Sequence, residues 1–489
     1  MSNDELGSSG FEPVWVEDAL SDVDAVEQAE WVREGRVSPV ELVEAALRRI
    51  ELAQPRVNAV ASLDADVARE RARTVSSNGL LAGVPTLLKD LLAYPGLPCE
   101  YGSRAFAGQR GQAGSDYTAA LDGGGLVVLG KSATSELGLL GTTESLARGA
   151  THNPWDPLRS PGGSSGGAVA AVASGMVPVA HASDGGGSIR GPASLCGLFG
   201  FKPSRGRERS TGLASQTPFG RLVSDHCVSR TVRDSAAWLC VTERVDGAMA
   251  PVGYVMQPIA RRLRIGWYRR TAFGAESERE VDEALGRTVA LCAALGHELV
   301  ECEGPRFDAP AASTAFFDLA GTMMAGLFGQ LQRASGDAFD LERFEPFTRA
   351  LAGRAGGDPD SAAQAALTIL AQAEQAANAS FGPVDVLLCP TTPFPAFALG
   401  RIGPDAPEAE VIRFTQALAG YTAIASLAGW CAMSVPLTES PAGLPIGMHF
   451  AARRGEDATL LALAYELERA APWRARRPGW RKDVDGAAA

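Results

Sequence analysis

With 489 residues, 46% of them hydrophobic and 21% charged, the chain is long enough for one large enzyme fold or two to three smaller domains, with ample core in either case. Its formal net charge of −12 argues against nucleic acid or an anionic membrane as an obligatory partner. Eight cysteines without a C-x-x-C pair read as free thiols in a reducing cytoplasm, and five histidines without H-E-x-x-H give no reason to expect a catalytic metal.

Residues 1–12 are polar and acidic and are expected to form a disordered tail, without the build of a signal peptide. No uninterrupted apolar run reaches membrane-span length, so a soluble, cytoplasmic protein is expected. Ser38-Pro39-Val40-Glu41 is a helix start: serine as N-cap, proline in the first turn and glutamate to complete a capping box. Residues 80–92, LLAGVPTLLKDLL, turn at Gly83 and continue as an apolar strand carrying Lys89 and Asp90. A lysine there either reaches solvent at the strand end or is desolvated for a purpose, since an unpaired ammonium is costly to bury. Residues 116–121 suit a helix, 126–129 a strand, and GKSATSELG at 130–138 the start of another helix.

The densest signal lies between Pro161 and Ser188. Glycines 162, 163, 166 and 167 bracket Ser164 and Ser165; residues 168–173 suit a tightly packed helix and 177–180 a buried strand; then Gly185, Gly186 and Gly187 lead to Ser188. Glycine permits close backbone approach, and successive N–H groups can form an anion-binding nest beside a serine, as acyl transfer requires. A flexible linker would lack the interleaved helix and strand, and a phosphate loop would carry G-x-x-x-x-G-K-[ST], which is absent.

Further along, residues 263–267 read as a strand, 277–295 as an amphipathic helix with Val281, Leu285, Val289 and Cys292 inward, and 298–300 as a strand. Residues 303–380 are alanine-rich helix, and 384–388, 434–436 and 444–450 look like late strands before a final helix at 457–468. Alternating strands and helices predict an α/β fold with helices on both faces of a sheet. Phe316, Met324 and Phe328, with Trp430 from the late segment, are candidate substrate-binding residues; plain helix packing is the alternative for such a stripe.

AGVPTLLKD at 82–90, GGSSGG at 162–167 and DGGGSIRGPASLCGLFGFKPSRGR at 184–207, in this order and spacing, resemble the amidase signature family over about residues 15–470. AGVPTLLKD, ATHNPW, VAHASDGGGS and APWRARRP are most similar to its branch of linear-amide and nylon-oligomer hydrolases. The resemblance implies one large domain over residues 13–475, a twisted mixed β-sheet covered by helices on both faces. Within it, 303–380 would be a variable substrate-pocket region and 476–489 a C-terminal tail.

It also implies a Ser–cis-Ser–Lys triad: Ser188 as nucleophile, Ser164 as bridging serine after a cis peptide bond, and Lys89 as general base. Backbone N–H groups of Gly185, Gly186, Gly187 and Ser188 would form the oxyanion hole; Asp184 and Arg190 would brace the loop, and Ser165 would support it. Position 185 departs from the family in lacking a side chain, and Ser426 and Cys431 stand where many members have Asn and Pro. A lysine base must be neutral, which calls for its proton affinity to fall by about 3 pKa units, as burial can arrange. A Ser–His–Asp triad through His181 is the weaker rival, because His181 lies on the strand leading into the loop.

The expectation is therefore a serine hydrolase of C–N bonds in aryl or alkyl amides, with carbamates and activated esters as further substrates. It needs no cofactor, metal, nucleic acid or membrane, and a homodimer is compatible with the sequence. The alternative is the amidase-like subunit of a tRNA-dependent glutamine amidotransferase.

Overall fold

The computed structural model describes residues 17–212 and 217–479. The N-terminal tail expected at 1–12 and most of the C-terminal tail lie outside these residues. Ser38 caps the helix Pro39–Val57 as its sequence predicts: its hydroxyl accepts from the Glu41 N–H, and the Glu41 carboxylate accepts from the Ser38 N–H. Such a cap contributes about 1 kcal/mol.

An eight-stranded mixed sheet forms the centre. Its strands run, edge to edge, Glu298–Glu301, Arg264–Trp267, Val386–Pro390, Pro445–Ala452, Cys431–Glu439, Phe199–Lys202, Ser224–Ser229 and Val179–Asp184. The first three are parallel and the remaining pairings antiparallel. Pleating sends alternate side chains to opposite faces. Cys431, Met433 and Val435 join Met448 and Phe450 in one core, with Leu285 of helix Arg279–Ala294 and Leu460 of helix Asp457–Ala470. Ala432 and Ala451 enter a second core, with Leu370 and Ala373 of helix Pro359–Ala379. Strand Pro445–Ala452 is buried at every position, as a strand covered on both faces must be. In helix Arg279–Ala294, Val281, Leu285 and Cys292 are buried, and Val289 is half-buried.

A smaller sheet orders Val60–Leu63, Val127–Ser132 and Pro85–Lys89. It meets the edge strand Val179–Asp184 of the large sheet through side chains instead of a backbone ladder. Thr86 Oγ1 donates to the Val179 carbonyl at 3.0 Å, and the Lys89 N–H donates to His181 Nδ1 at 3.2 Å. This seam between the two sheets carries the lysine singled out in the sequence.

Two local expectations need correction. GKSATSELG does not open a helix: its first three residues end the strand Val127–Ser132, and only a 3₁₀ turn Glu136–Gly138 follows, with Leu137 at φ 52°. A left-handed leucine cannot continue an α-helix. The strand expected at 177–180 begins at Val179 and runs on to Asp184, so it delivers the chain directly into the glycine loop.

Residues 303–380 fold as a helical layer, Ala309–Ser335, Pro346–Gly353 and Pro359–Ala379. By length and composition the stretch Ala309–Ala338 is apolar enough to cross a membrane; here its Ala312, Ala315, Phe317 and Leu319 are buried against the rest of the protein.

Candidate active site

Lys89 ends its strand wholly buried, with Nζ donating to Ser164 Oγ at 2.8 Å and to Ser183 Oγ at 3.0 Å. No carboxylate among the described residues touches the amine. Burial pushes its proton affinity down to about 7, against the more distant charges of Asp225 and Asp184, which raise it. His181 makes a separate contact with the backbone of Lys89. Because Nδ1 accepts from the Lys89 N–H, the ring proton sits on Nε2, which faces Asp225 Oδ1 at 3.1 Å. Burial lowers the imidazole's proton affinity further, so His181 is a neutral, satisfied core histidine.

Ser164 follows a cis peptide bond from Gly163. Gly163 lies flat on the Thr142 backbone, where a Cβ would come within 2.2 Å of the Thr142 carbonyl oxygen. Ser165 precedes the helix Gly166–Ala173, and its hydroxyl donates to the Ser183 carbonyl at 3.2 Å.

The loop from Asp184 to Ser188 is held from below. Asp184 and Arg190 form a wholly buried bidentate pair: Nε to Oδ2 at 2.9 Å and Nη2 to Oδ1 at 2.8 Å. Asp184 also accepts from the N–H groups of Gly187 at 2.7 Å and Ile189 at 3.1 Å, and from Ser426 Oγ at 3.2 Å. Burial alone would raise this carboxyl, but the charge and hydrogen bonds of Arg190 outweigh it and hold the carboxyl far below the usual range. Arg190 Nη1 reaches the Thr422 carbonyl at 2.8 Å and His449 Nε2 at 2.9 Å. Thr422 Oγ1 in turn donates to the Gly186 carbonyl at 2.7 Å, and a Cβ on Gly187 would lie 2.3 Å from that hydroxyl.

The four N–H groups expected to face an oxyanion differ in their partners. The Gly187 N–H is taken by Asp184, whereas those of Gly185, Gly186 and Ser188 have no internal acceptor among the described residues. Ser188 is half-buried, and no hydrogen bond to its hydroxyl is found among these residues.

Ser164, Ser183, Gly185 and Ser188 open on one cavity of about 230 Å³. Its walls are Leu91, Leu137, Leu139, Leu140, Leu195, Phe219 and Phe316 among other apolar residues, and no lining residue among those described is charged. A larger hollow of about 930 Å³, lined by Glu280, Glu283 and Arg287, contains none of these serines. The described residues hold no cluster of three or more His, Cys, Asp or Glu suited to a metal ion.

Comparison with known proteins gives this geometry a family. A profile described as Amidase matches residues 41–461. The chain belongs to the Amidase family. Over 463 residues it is 37% identical to "Putative amidase AmiC" of Mycobacterium tuberculosis, covering 94% of this chain and 97% of that protein. It is 32% identical to a glutamyl-tRNA(Gln) amidotransferase subunit of a Synechococcus strain, covering 91% of this chain and 96% of that protein. The structure of 6-aminohexanoate cyclic dimer hydrolase complexed with substrate superimposes with a TM-score of 0.85 at 31% identity, covering 94% of this chain and 98% of that one. This amidase is thus a single α/β domain and a hydrolase of carbon–nitrogen bonds in linear amides.

Of the four predicted substrate contacts, only Phe316 lines the cavity of this amidase. Along helix Ala309–Ser335 the face Ala309, Ala312, Ser313, Phe316 and Phe317 meets it. Met324 and Phe328 lie eight and twelve residues beyond Phe316, roughly 12 and 18 Å along the axis. Met324 packs with Phe347 and Leu351, and Phe328 packs against Phe344 with tilted rings whose centroids are 4.7 Å apart. Trp430 is buried elsewhere, edge-on to Phe381 with its indole N–H on Asn378.

Ser183 was missed in the sequence, although it shares a strand face with His181 and directly precedes Asp184. The wall at Leu137–Leu140 and around Thr415–Thr422 comes from segments with no motif.

Breaking the brace has a measurable cost. Arg190→Met would strand the Asp184 carboxylate in the interior, and is expected to destabilise the protein by about 3–5 kcal/mol, read as a lowered urea midpoint. A loss below about 1 kcal/mol would show that the pair does not hold the loop.

Proposed function

We propose that this amidase hydrolyses uncharged, apolar amides through an acyl-enzyme on Ser188. The observation that carries the reading is the contact between the wholly buried Lys89 Nζ and Ser164 Oγ, Ser164 lining one cavity with Ser188. A serine hydroxyl is a weak nucleophile until a base takes its proton. Lys89, neutral for half the molecules near pH 7, takes the Ser164 proton while Ser164 takes that of Ser188.

The Ser188 oxygen then bonds to the carbonyl carbon. The resulting oxyanion faces the N–H groups of Gly185, Gly186 and Ser188, fixed in place by Asp184 from beneath. The proton on Lys89 returns through Ser164 to the leaving nitrogen as the C–N bond breaks. Water repeats the cycle on the acyl-enzyme, releasing the acid and restoring Ser188. Carbamates and activated esters present the same carbonyl to the same groups.

The amidotransferase reading is less well supported. Free glutamine carries an α-ammonium and an α-carboxylate, and the described cavity lining offers no charge to either. The test is a matched set: an aryl anilide, an aryl carbamate, a primary alkyl amide and glutamine. Turnover of the neutral substrates with glutamine at background is expected; glutamine alone being hydrolysed would reverse the conclusion.

A further inference from the structure

In the apolar cavity three neutral polar side chains stand together on the helical side. Gln416 Nε2 donates to Ser313 Oγ at 3.0 Å, joining the end of helix Glu408–Leu418 to helix Ala309–Ser335. Thr415, beside Gln416, has its hydroxyl oxygen buried without a partner among the described residues. All three residues line the same cavity as Ser164 and Ser188. In a helix a threonine hydroxyl ordinarily bonds back to the carbonyl four residues earlier; this one does not.

A buried hydroxyl left unpaired is costly, so such a group calls for an explanation. Gln416 adds unused capacity. With its amide as placed, its carbonyl oxygen, a second N–H and the Ser313 O–H are all unspent; with the amide turned over, two N–H groups remain. In either orientation the Gln416–Ser313 pair offers a donor and an acceptor side by side. A secondary amide or carbamate presents the complementary pair, a carbonyl and an N–H. A hydrocarbon presents neither, and an ester only the acceptor.

We propose that Ser313, Thr415 and Gln416 form a polar subsite that binds a second amide or carbamate group of the substrate, remote from the bond cut at Ser188. This rests on the reading of the cavity as the site of hydrolysis and narrows its substrates to uncharged molecules with two such groups joined by apolar chain. Six residues separate Gln416 from Thr422, whose hydroxyl bonds the Gly186 carbonyl, so along the chain the subsite lies within roughly 20 Å of the Thr422 contact with the glycine loop.

The experiment compares kcat/KM for two series of chromogenic anilides, one varied in the acyl chain and one in the amine. Each series places a secondary amide at successive positions, with an all-methylene chain of equal length and the corresponding ester as controls. At one position the amide is expected to exceed the methylene chain by on the order of tenfold or more, with the ester between them. Thr415→Val, Ser313→Ala and Gln416→Leu should each draw that ratio toward one, whatever they do to absolute rates. No preference at any position in either series, or a preference unchanged in all three variants, would overturn the subsite. Failure of the hydrolase reading is distinguishable, because it would show as turnover of every member persisting in Ser188→Ala.

Discussion

Ser188→Ala is expected to lower kcat on every amide substrate by on the order of 10⁴–10⁶-fold while the protein stays folded. The size follows from losing the covalent route itself. The fold should survive because the Ser188 hydroxyl makes no hydrogen bond within the described residues and is only half-buried. Its removal therefore leaves no orphaned polar group, and the loop keeps its attachment through Asp184, Arg190 and Thr422. Intact-mass detection of an acyl adduct in the wild type, absent in the variant, would accompany the loss. A well-folded Ser188→Ala protein that still turns over would remove the basis of the proposed mechanism.

Lys89→Met is the second large effect, about 10³-fold in kcat. Methionine keeps the length and apolar stem but supplies no proton acceptor to Ser164. Stability should stay within about 2 kcal/mol of wild type, because the lost bonds to Ser164 and Ser183 are offset by removal of a buried amine. The pH dependence has a definite sign. Burial lowers Lys89 to about 7, so below that pH the amine is protonated and idle, and activity rises as pH climbs through about 7. The same shift acts on folding. Between about 7 and the ordinary lysine value near 10.4 the unfolded chain binds the extra proton, so the Lys89 contribution makes the fold more stable as pH rises through that window. An activity profile with no acidic limb near 7, or a Lys89→Met protein with wild-type turnover, would show that another group takes the proton.

What could be read in advance divides by the range of the interaction. The capping box at Ser38 and Glu41 appears where the sequence places it, and the late strands overlap their expected stretches, Cys431–Glu439 running well past the expected 434–436. The glycine motifs mark where the backbone must approach closely, and Gly163 against Thr142 shows why. The 130–138 segment misled because helix propensity there yields to the pairing of Lys131 and Ser132 with strand Pro85–Lys89. The pocket wall was hardest. An alternation of Phe and Met along a helix says that it has an apolar face, but Phe316 meets the cavity and Phe328 meets Phe344, and only the neighbouring chain decides which. Thr415 and Gln416 carried no pattern at all; they stand out only once a buried oxygen is found without a partner.

The seam between the two sheets has a bearing on how the protein fails when it is stressed. Strand Val179–Asp184 is the last in its sheet, and its outer rim is covered not by a further strand but by bonds from the Thr86 and Ser165 hydroxyls and from Lys89. If the small sheet peels away, six residues of extended backbone are bared, and such a rim is a template for pairing with another chain. The contacts that place Lys89 beside Ser164 thus also cover an edge open to pairing with another chain. In such a molecule inactivation by heat would be followed by aggregation from the same edge.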